Sequence, residues 1–208
     1  MLIEHQGKRP RIHPTAWVAP TATVSGDVTI GRDTRVLFGA VITSDGGSVV
    51  IGDECIVMET AVLRGTARHP LNVGNRVLMG PRAYLTGCTV EDDVFIATGS
   101  TIFNGALLKT RSTVRIHGVV HIKTVIPEDE TVPIGWVAVG DPALIRPPKD
   151  HDEIWAVQEK LNFPKEVFGI DRPAKGRSAL ETVAPRYVKA LGRHRDDVIV
   201  SPDPDDDQ

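Results

Sequence analysis

Val90-Glu-Asp-Asp-Val-Phe-Ile96-Ala-Thr-Gly-Ser-Thr-Ile102 opens a stretch in which every sixth residue is aliphatic: Val90, Ile96, Ile102, Leu108, Val114, Val120 and Ile126. The same beat runs earlier through Ile12, Val18, Val24, Ile30, Val36 and Ile42, then in shifted frames through Ile51, Val57, Leu63 and Val73, Met79, Leu85. A period of six fits neither the 3.6-residue turn of a helix nor the alternation of a plain hairpin. It fits a chain wound as a triangular prism, one short strand to a side and three hexads to a coil. Two positions before most of these aliphatics stands a small or branched residue, as at Ala16, Ala22, Thr34, Ala40, Ser100 and Ala106. Both positions therefore face inward, as alternation along a strand requires. The expected fold is all-β, a single-stranded parallel β-helix over residues 12–148 and about six coils tall, with a dry, packed interior.

Three frame breaks interrupt the beat. Thr43 to Val49 (TSDGGSV) and Gly65 to Asn72 (GTARHPLN) bulge from the same prism edge, so these loops are expected side by side, and loops on a rigid scaffold are where function concentrates. The third break removes one residue from Leu85-Thr-Gly-Cys-Thr-Val90, where Gly87 suits a tightened corner. Residues 1–11 are polar and irregular and are expected as an arm or cap over the bottom of the prism, which a solenoid needs. Beyond Pro148, Asp150 or Asp152 is placed to cap a helix reaching about Leu161, with Ile154, Val157 and Leu161 on one face. Ser178 and Glu181 suggest a capping box for a second helix towards Gly192, kinked or shifted by Pro185. The helical appendage thus spans 149–192, and 193–208, ending SPDPDDDQ, reads as a disordered acidic tail.

With 208 residues, 41% hydrophobic, 25% charged and a formal charge of −3, the chain reads as one globular domain with an appendage and carries no field that would draw nucleic acid. No run approaches 18 apolar residues and Met1 to Pro20 holds no apolar leader, so no membrane partner is expected and the location is read as cytoplasmic. Cys55 and Cys88 suggest neither a disulfide framework nor a CxxC metal site, which fits a reducing compartment.

The segment from Pro70 to Val90, PLNVGNRVLMGPRAYLTGCTV, resembles the γ-class carbonic anhydrases and their relatives, above all in the short Leu85 hexad with Gly87-Cys88-Thr89. Gly140-Asp-Pro-Ala143 is similar to the closing segment of many hexapeptide-repeat proteins. The resemblance covers roughly Ile12 to Pro148. It implies a left-handed β-helix, an exception to the right-handed crossover rule, assembled as a homotrimer with parallel prism axes. It also implies zinc held between subunits by three histidines, at positions that here are Arg64, Pro81 and Thr86. A guanidinium is a permanent cation with no lone pair to give, and proline offers no side-chain ligand. Asp45 matches the aspartate of the family's Arg-Gly-Asp segment, while Thr43, Ser44 and Met58 replace its arginine, glycine and neighbouring glutamine. Neither a metal nor a cofactor is therefore expected. The interfacial cleft is assigned to Asp45, Glu59, Arg64, Pro81 and Thr86, with Arg64 paired to Asp45 or Glu59 as the cation that stands in for zinc.

Three functions remain open. The first is a trimeric γ-carbonic-anhydrase-like protein without zinc or hydratase chemistry, structural or regulatory or acting on an unidentified ligand. The second is a CoA-dependent acyltransferase with a small-molecule or CoA ligand at the subunit interface, for which His69, His117 and His121 are the candidate catalytic bases. The third is a carbonic anhydrase with a relocated metal. The partner expected in every case is a second and third copy of the chain, because outward positions Val41, Val62, Tyr84 and Val119, and on the neighbouring side Val50, Leu107 and Val125, are too apolar for water.

Overall fold

Each hexad forms a short strand and a corner, and the corners are closed by residues in the left-handed conformation: Arg76, Asp93, Arg111, His117 and Lys123 all have φ between 53° and 61°. The computed structural model, which describes residues 1–174 and 176–201, is a left-handed parallel β-helix of about eight turns with two helices after it. Its three faces hold ten, seven and seven strands. On the first face Ile42, Leu63, Leu85, Ile102 and Val120 stack in register from coil to coil, and none of them is exposed. This column is why the hexad aliphatics are branched: each fills the prism from one side and packs on its equivalent in the coils above and below.

The fold is about two coils taller than the hexad count suggests. Leu2–Glu4, inside the expected N-terminal arm, pairs in parallel with Thr23–Ser25 and adds a layer at the bottom, and Val137–Val139 adds one at the top. The two bulging loops do lie together. Val41–Asp45 and Val62–Thr66 pair over five residues, and Thr66 and His69 exchange backbone hydrogen bonds of 2.8 and 2.9 Å to close the second loop. Gly87 turns the short corner at φ +50°, and a Cβ there would stand 2.5 Å from that of His69. The glycine lets the second loop lie flat on the next coil.

Helix α1, His151–Leu161, lays its buried Ile154 against the top of the first face. Asp150 stands at its N-cap, but its side chain makes no capping bond. Helix α2, Leu180–Leu191, contains Pro185 and buries Val183. The anticipated capping box does not form: the N-cap is Ala179, without a side-chain capping bond, Ser178 Oγ accepts from the Leu180 N–H at 3.2 Å, and Glu181 turns to Arg177 at 3.1 Å.

The disordered tail expected from residue 193 does not begin there. Gly192–Asp196 forms a 3-10 turn, and Val198–Val200 pairs antiparallel with Leu2–Glu4. The cause is physical: the bottom strand of the first face has free backbone groups, and Val-Ile-Val supplies a β-branched run to satisfy them. Residues 202–208 of that expected tail lie outside the described residues. At the top, Leu144–Arg146 pairs antiparallel with Val137–Val139, so both ends of the first face are closed. No helix among the described residues is long and apolar enough to cross a membrane.

Candidate functional site

Arg64 follows the inward-facing Leu63 and so projects outward at the edge where the loops leave the first face, between Thr43 of the coil below and Thr86 of the coil above. One guanidinium nitrogen meets Oδ2 of Asp45. The other oxygen of Asp45 faces His194 Nε2 at 3.4 Å. The carboxylate is thus divided between two partners, which explains why Arg64 does not take both oxygens in a fork. Arg64 and Asp45 are 31% and 19% exposed, so the pair contributes about 1 kcal/mol or less to stability. Its geometric effect is larger, since it holds the first loop over the coil that carries Arg64.

Residues 163–168 and 187–194 roof this edge, leaving a cleft of about 460 Å³ lined by Arg64, Thr86, His69, Arg68, Tyr84 and Arg193, among others. Glu166, from the wide helical turn Pro164–Phe168, pins the roof. Its Oε1 lies 2.7 Å from His69 Nε2 and its Oε2 meets Lys123 Nζ. Burial pushes the Glu166 carboxyl up, but Lys123 and His69 outweigh it and hold the group below its ordinary value. Arg68 Nη1 donates to the Lys165 carbonyl at 3.2 Å, and a chain of edge-on rings, Phe103, Phe163, Phe168 and Tyr187, packs at centroid spacings of 5.9 to 6.0 Å.

Of the residues singled out in the sequence, Asp45, Arg64, Thr86 and His69 come together in this cleft. Glu59 and Pro81 do not. They lie at the opposite edge of the first face, where the carbonyl of Glu59 accepts from Arg82 N and that of Pro81 from Gly99 N in successive coils. Within one chain Glu59 is therefore no partner for Arg64. His117 shares that far edge, its ring lying over Gly99. His121 is 5% exposed, enclosed by Phe103 and Phe163 at 6.0 and 5.9 Å, with Nε2 2.6 Å from the Gln158 amide and Nδ1 buried without a partner among the described residues. Burial lowers its pKa. A neutral imidazole packed under α1 serves the fold and offers no access to a substrate.

Cys55 and Cys88 are both buried and free. Burial raises both thiols, Cys88 to about 12, so neither is a nucleophile. The family's zinc does not fit the positions it would need. The Arg64 guanidinium has no lone pair to donate, Thr86 is 5% exposed within its strand, and Pro81 has no side-chain donor atom.

Two titrations here have the same sign. His121 is depressed, so the unfolded chain binds its proton first, and its contribution is complete above about pH 6.5 and lost as pH falls through the lowered value. Glu166 is also depressed, and its contribution is lost only at lower pH, below the ordinary carboxylate range. We expect thermal stability to fall in two steps on acidification from pH 8 to pH 3. His121→Phe should remove the upper step, and Glu166→Gln should reduce the lower, to which the depressed Asp27, Asp93, Asp129 and Asp197 also contribute. A single step unaffected by either substitution would contradict this assignment.

Sequence reasoning did not pick out Glu166, His194, Phe163, Phe168 or Tyr187, because a segment with no periodicity brings them to the cleft, nor Lys123, a prism corner residue whose partner Glu166 lies in that segment. The one local signal was Val198-Ile199-Val200, a strand-like run inside the expected tail.

No family model matches the chain. It is similar to Gamma carbonic anhydrase 1, mitochondrial, of Arabidopsis thaliana, 31% identical over 163 residues that cover 75% of this chain and 57% of that protein. It is also similar to a carbonic anhydrase of Geobacillus kaustophilus, 31% identical over 106 residues, 51% of this chain and 58% of that one. The chain spans less than two thirds of the length of either relative. Among solved structures, a hexapeptide transferase family protein from Anaplasma phagocytophilum superposes with a TM-score of 0.50 at 21% identity, over 77% of this chain and 91% of that one. At that identity the likeness is one of fold.

Proposed function

The chain belongs to the γ-carbonic-anhydrase-like family of hexapeptide-repeat proteins, and from that premise we propose that it is a homotrimeric member without hydratase activity whose cleft holds a small anion. The observation that carries this reading is the Arg64–Asp45 pair at the position the resemblance assigns to a zinc ligand. A fixed cation there can attract and orient an anion, but it cannot generate a metal-bound hydroxide. Arg64, Arg68 and Arg193 all line the cleft, whereas its carboxylates Asp45 and Glu166 are already engaged. The balance left for a ligand is positive.

The trimer is supported by the far edge of the first face, where Phe38, Ile116 and Ile134 are 52%, 43% and 58% exposed along the edge that also carries Pro81. Sedimentation of the 22.6 kDa chain as a monomer at micromolar concentration would contradict it. For the ligand, phosphate and bicarbonate are suitable probes by calorimetry. Arg64→Ala is expected to weaken binding about tenfold or more, since a charge-assisted hydrogen bond contributes at least 1.5 kcal/mol, with Arg64→Lys between the two. Equal affinity in wild type and Arg64→Ala would sink the anion site.

One observation favours a second reading, acyl transfer from CoA. His69 lies in the cleft with Nε2 on the Glu166 carboxylate, the arrangement of a base and the group that orients it. The same titration run with acetyl-CoA decides it, because an absence of binding ends that reading.

A further inference from the structure

Directly below the Arg64–Asp45 pair, three segments far apart in sequence bring two histidines and two aspartates into one cluster. His5 comes from the turn after the bottom strand, Asp45 from the first loop, and His194 and Asp197 from the 3-10 turn and the residue after it. The His5 and His194 rings are stacked with centroids 4.4 Å apart. Asp197 bridges them, its Oδ1 2.5 Å from His5 Nδ1 and its Oδ2 2.9 Å from His194 Nδ1. A neutral imidazole that donates Nδ1–H to a carboxylate carries its lone pair on Nε2. One carboxylate therefore sets the tautomer of both rings, as carboxylates behind metal-bound histidines do. His194 Nε2 faces Asp45 Oδ1, Arg64 holds the other oxygen of Asp45, and His5 Nε2 is met by the Gln6 amide, so its lone pair becomes available to a metal once that side chain turns.

We propose that His5, His194 and Asp45 bind one divalent transition-metal ion of the zinc class, and that this ion clasps the C-terminal segment to the first loop and the N-terminal strand. Two imidazoles and one carboxylate suit Zn²⁺ and its neighbours and do not suit Mg²⁺ or Ca²⁺, which prefer all-oxygen shells. One ligand atom from each of the three residues already lies within 4.8 Å of the others. Tetrahedral zinc, with bonds of about 2.0–2.1 Å, needs donors about 3.4 Å apart; His194 Nε2 and Asp45 Oδ1 already stand at 3.4 Å, and His5 has at most about 1.4 Å to close. His194 is 36% exposed and Asp45 is the last residue of its strand, where the first loop begins, so the movement falls to these two side chains. Gln6, whose amide nitrogen is 2.8 Å from His5 Nε2, is placed to turn over and supply its oxygen as a fourth donor. Such a shell is closed and structural, with no water left to activate. None of these residues occupies the positions at which the resemblance places zinc. Asp45 is shared with the anion reading, since Arg64 holds its other oxygen, but the readouts differ: metal uptake here, anion affinity there.

The test uses the full chain, stripped with chelator and titrated with Zn²⁺ by calorimetry and with Co²⁺ by visible absorption. Wild type is expected to take up one ion per chain with a tetrahedral cobalt spectrum, and zinc should slow proteolysis between residues 192 and 200. His194→Ala, at a part-exposed position, should keep the circular dichroism of the wild type and lose this ion. Asp197→Asn should weaken binding about 10–100-fold while leaving the stoichiometry at one. Wild type that takes up no more ion than His194→Ala, or uptake by both with the same cobalt spectrum, overturns the proposal, and this comparison holds even if His5→Ala fails to fold.

Discussion

Leu63→Ala is expected to lower the unfolding free energy by about 3–5 kcal/mol, near the top of the range for a buried leucine. Leu63 is fully buried and stacks between Ile42 below and Leu85 above. A cavity left there cannot close easily, because the walls are consecutive coils whose spacing is set by parallel backbone ladders about 4.8 Å apart. The residue also carries Arg64 on its C-terminal side and lies in the strand that leads into the second loop. Urea unfolding should show the loss in midpoint with little change in slope, and anion binding at Arg64 should weaken with it. A loss below about 1 kcal/mol would mean that the stacked column is not the main support of the prism at this level.

Gly65→Ala should be nearly as damaging for a different reason. Its φ is not in the left-handed region, so backbone freedom is not what it supplies. A Cβ at Gly65 would stand 2.4 Å from the Gly47 carbonyl oxygen and 2.5 Å from that of Ser48, and a Cβ at Gly47 would stand 2.0 Å from the Thr66 carbonyl oxygen. These obstacles are backbone and cannot rotate away. The two loops must separate, at a cost of about 3 kcal/mol or more, and Asp45 must leave Arg64. Gly192→Ala is the control, with nothing within 4 Å of its Cβ and an ordinary helical φ of −59°, so it should be neutral or slightly stabilising. Equal behaviour of Gly65→Ala and Gly192→Ala in thermal unfolding would refute the close-approach argument.

The prism was readable because its signal is repeated: a hexad error at one position is corrected by its neighbours six residues away, and burial enforces the same choice in each coil. The neighbourhood of Arg64, Asp45, Thr86 and His69 was readable too, since slots in a regular solenoid translate directly into register. What lay outside the repeat was hidden. His5 meets Asp197 across 192 residues, and His69 meets Glu166 across 97. Nothing in the spacing of a non-repeating segment encodes such contacts. The placement of Glu59 beside Arg64 failed for a related reason. Five residues carry the chain from the edge before a strand to its far end, so closeness in sequence put the two at opposite edges of one face.

The central claim is that a γ-carbonic-anhydrase-like fold here carries an ion pair where a hydratase carries its catalytic metal. Stopped-flow CO₂ hydration tests it most directly, measured on the purified chain before and after addition of one equivalent of Zn²⁺. Rates equal to the buffer background are expected in both cases, unchanged in His194→Ala. A zinc-dependent hydration with kcat/KM of about 10⁴ M⁻¹s⁻¹ or more, the lower end for a working enzyme, abolished by chelator, would contradict it.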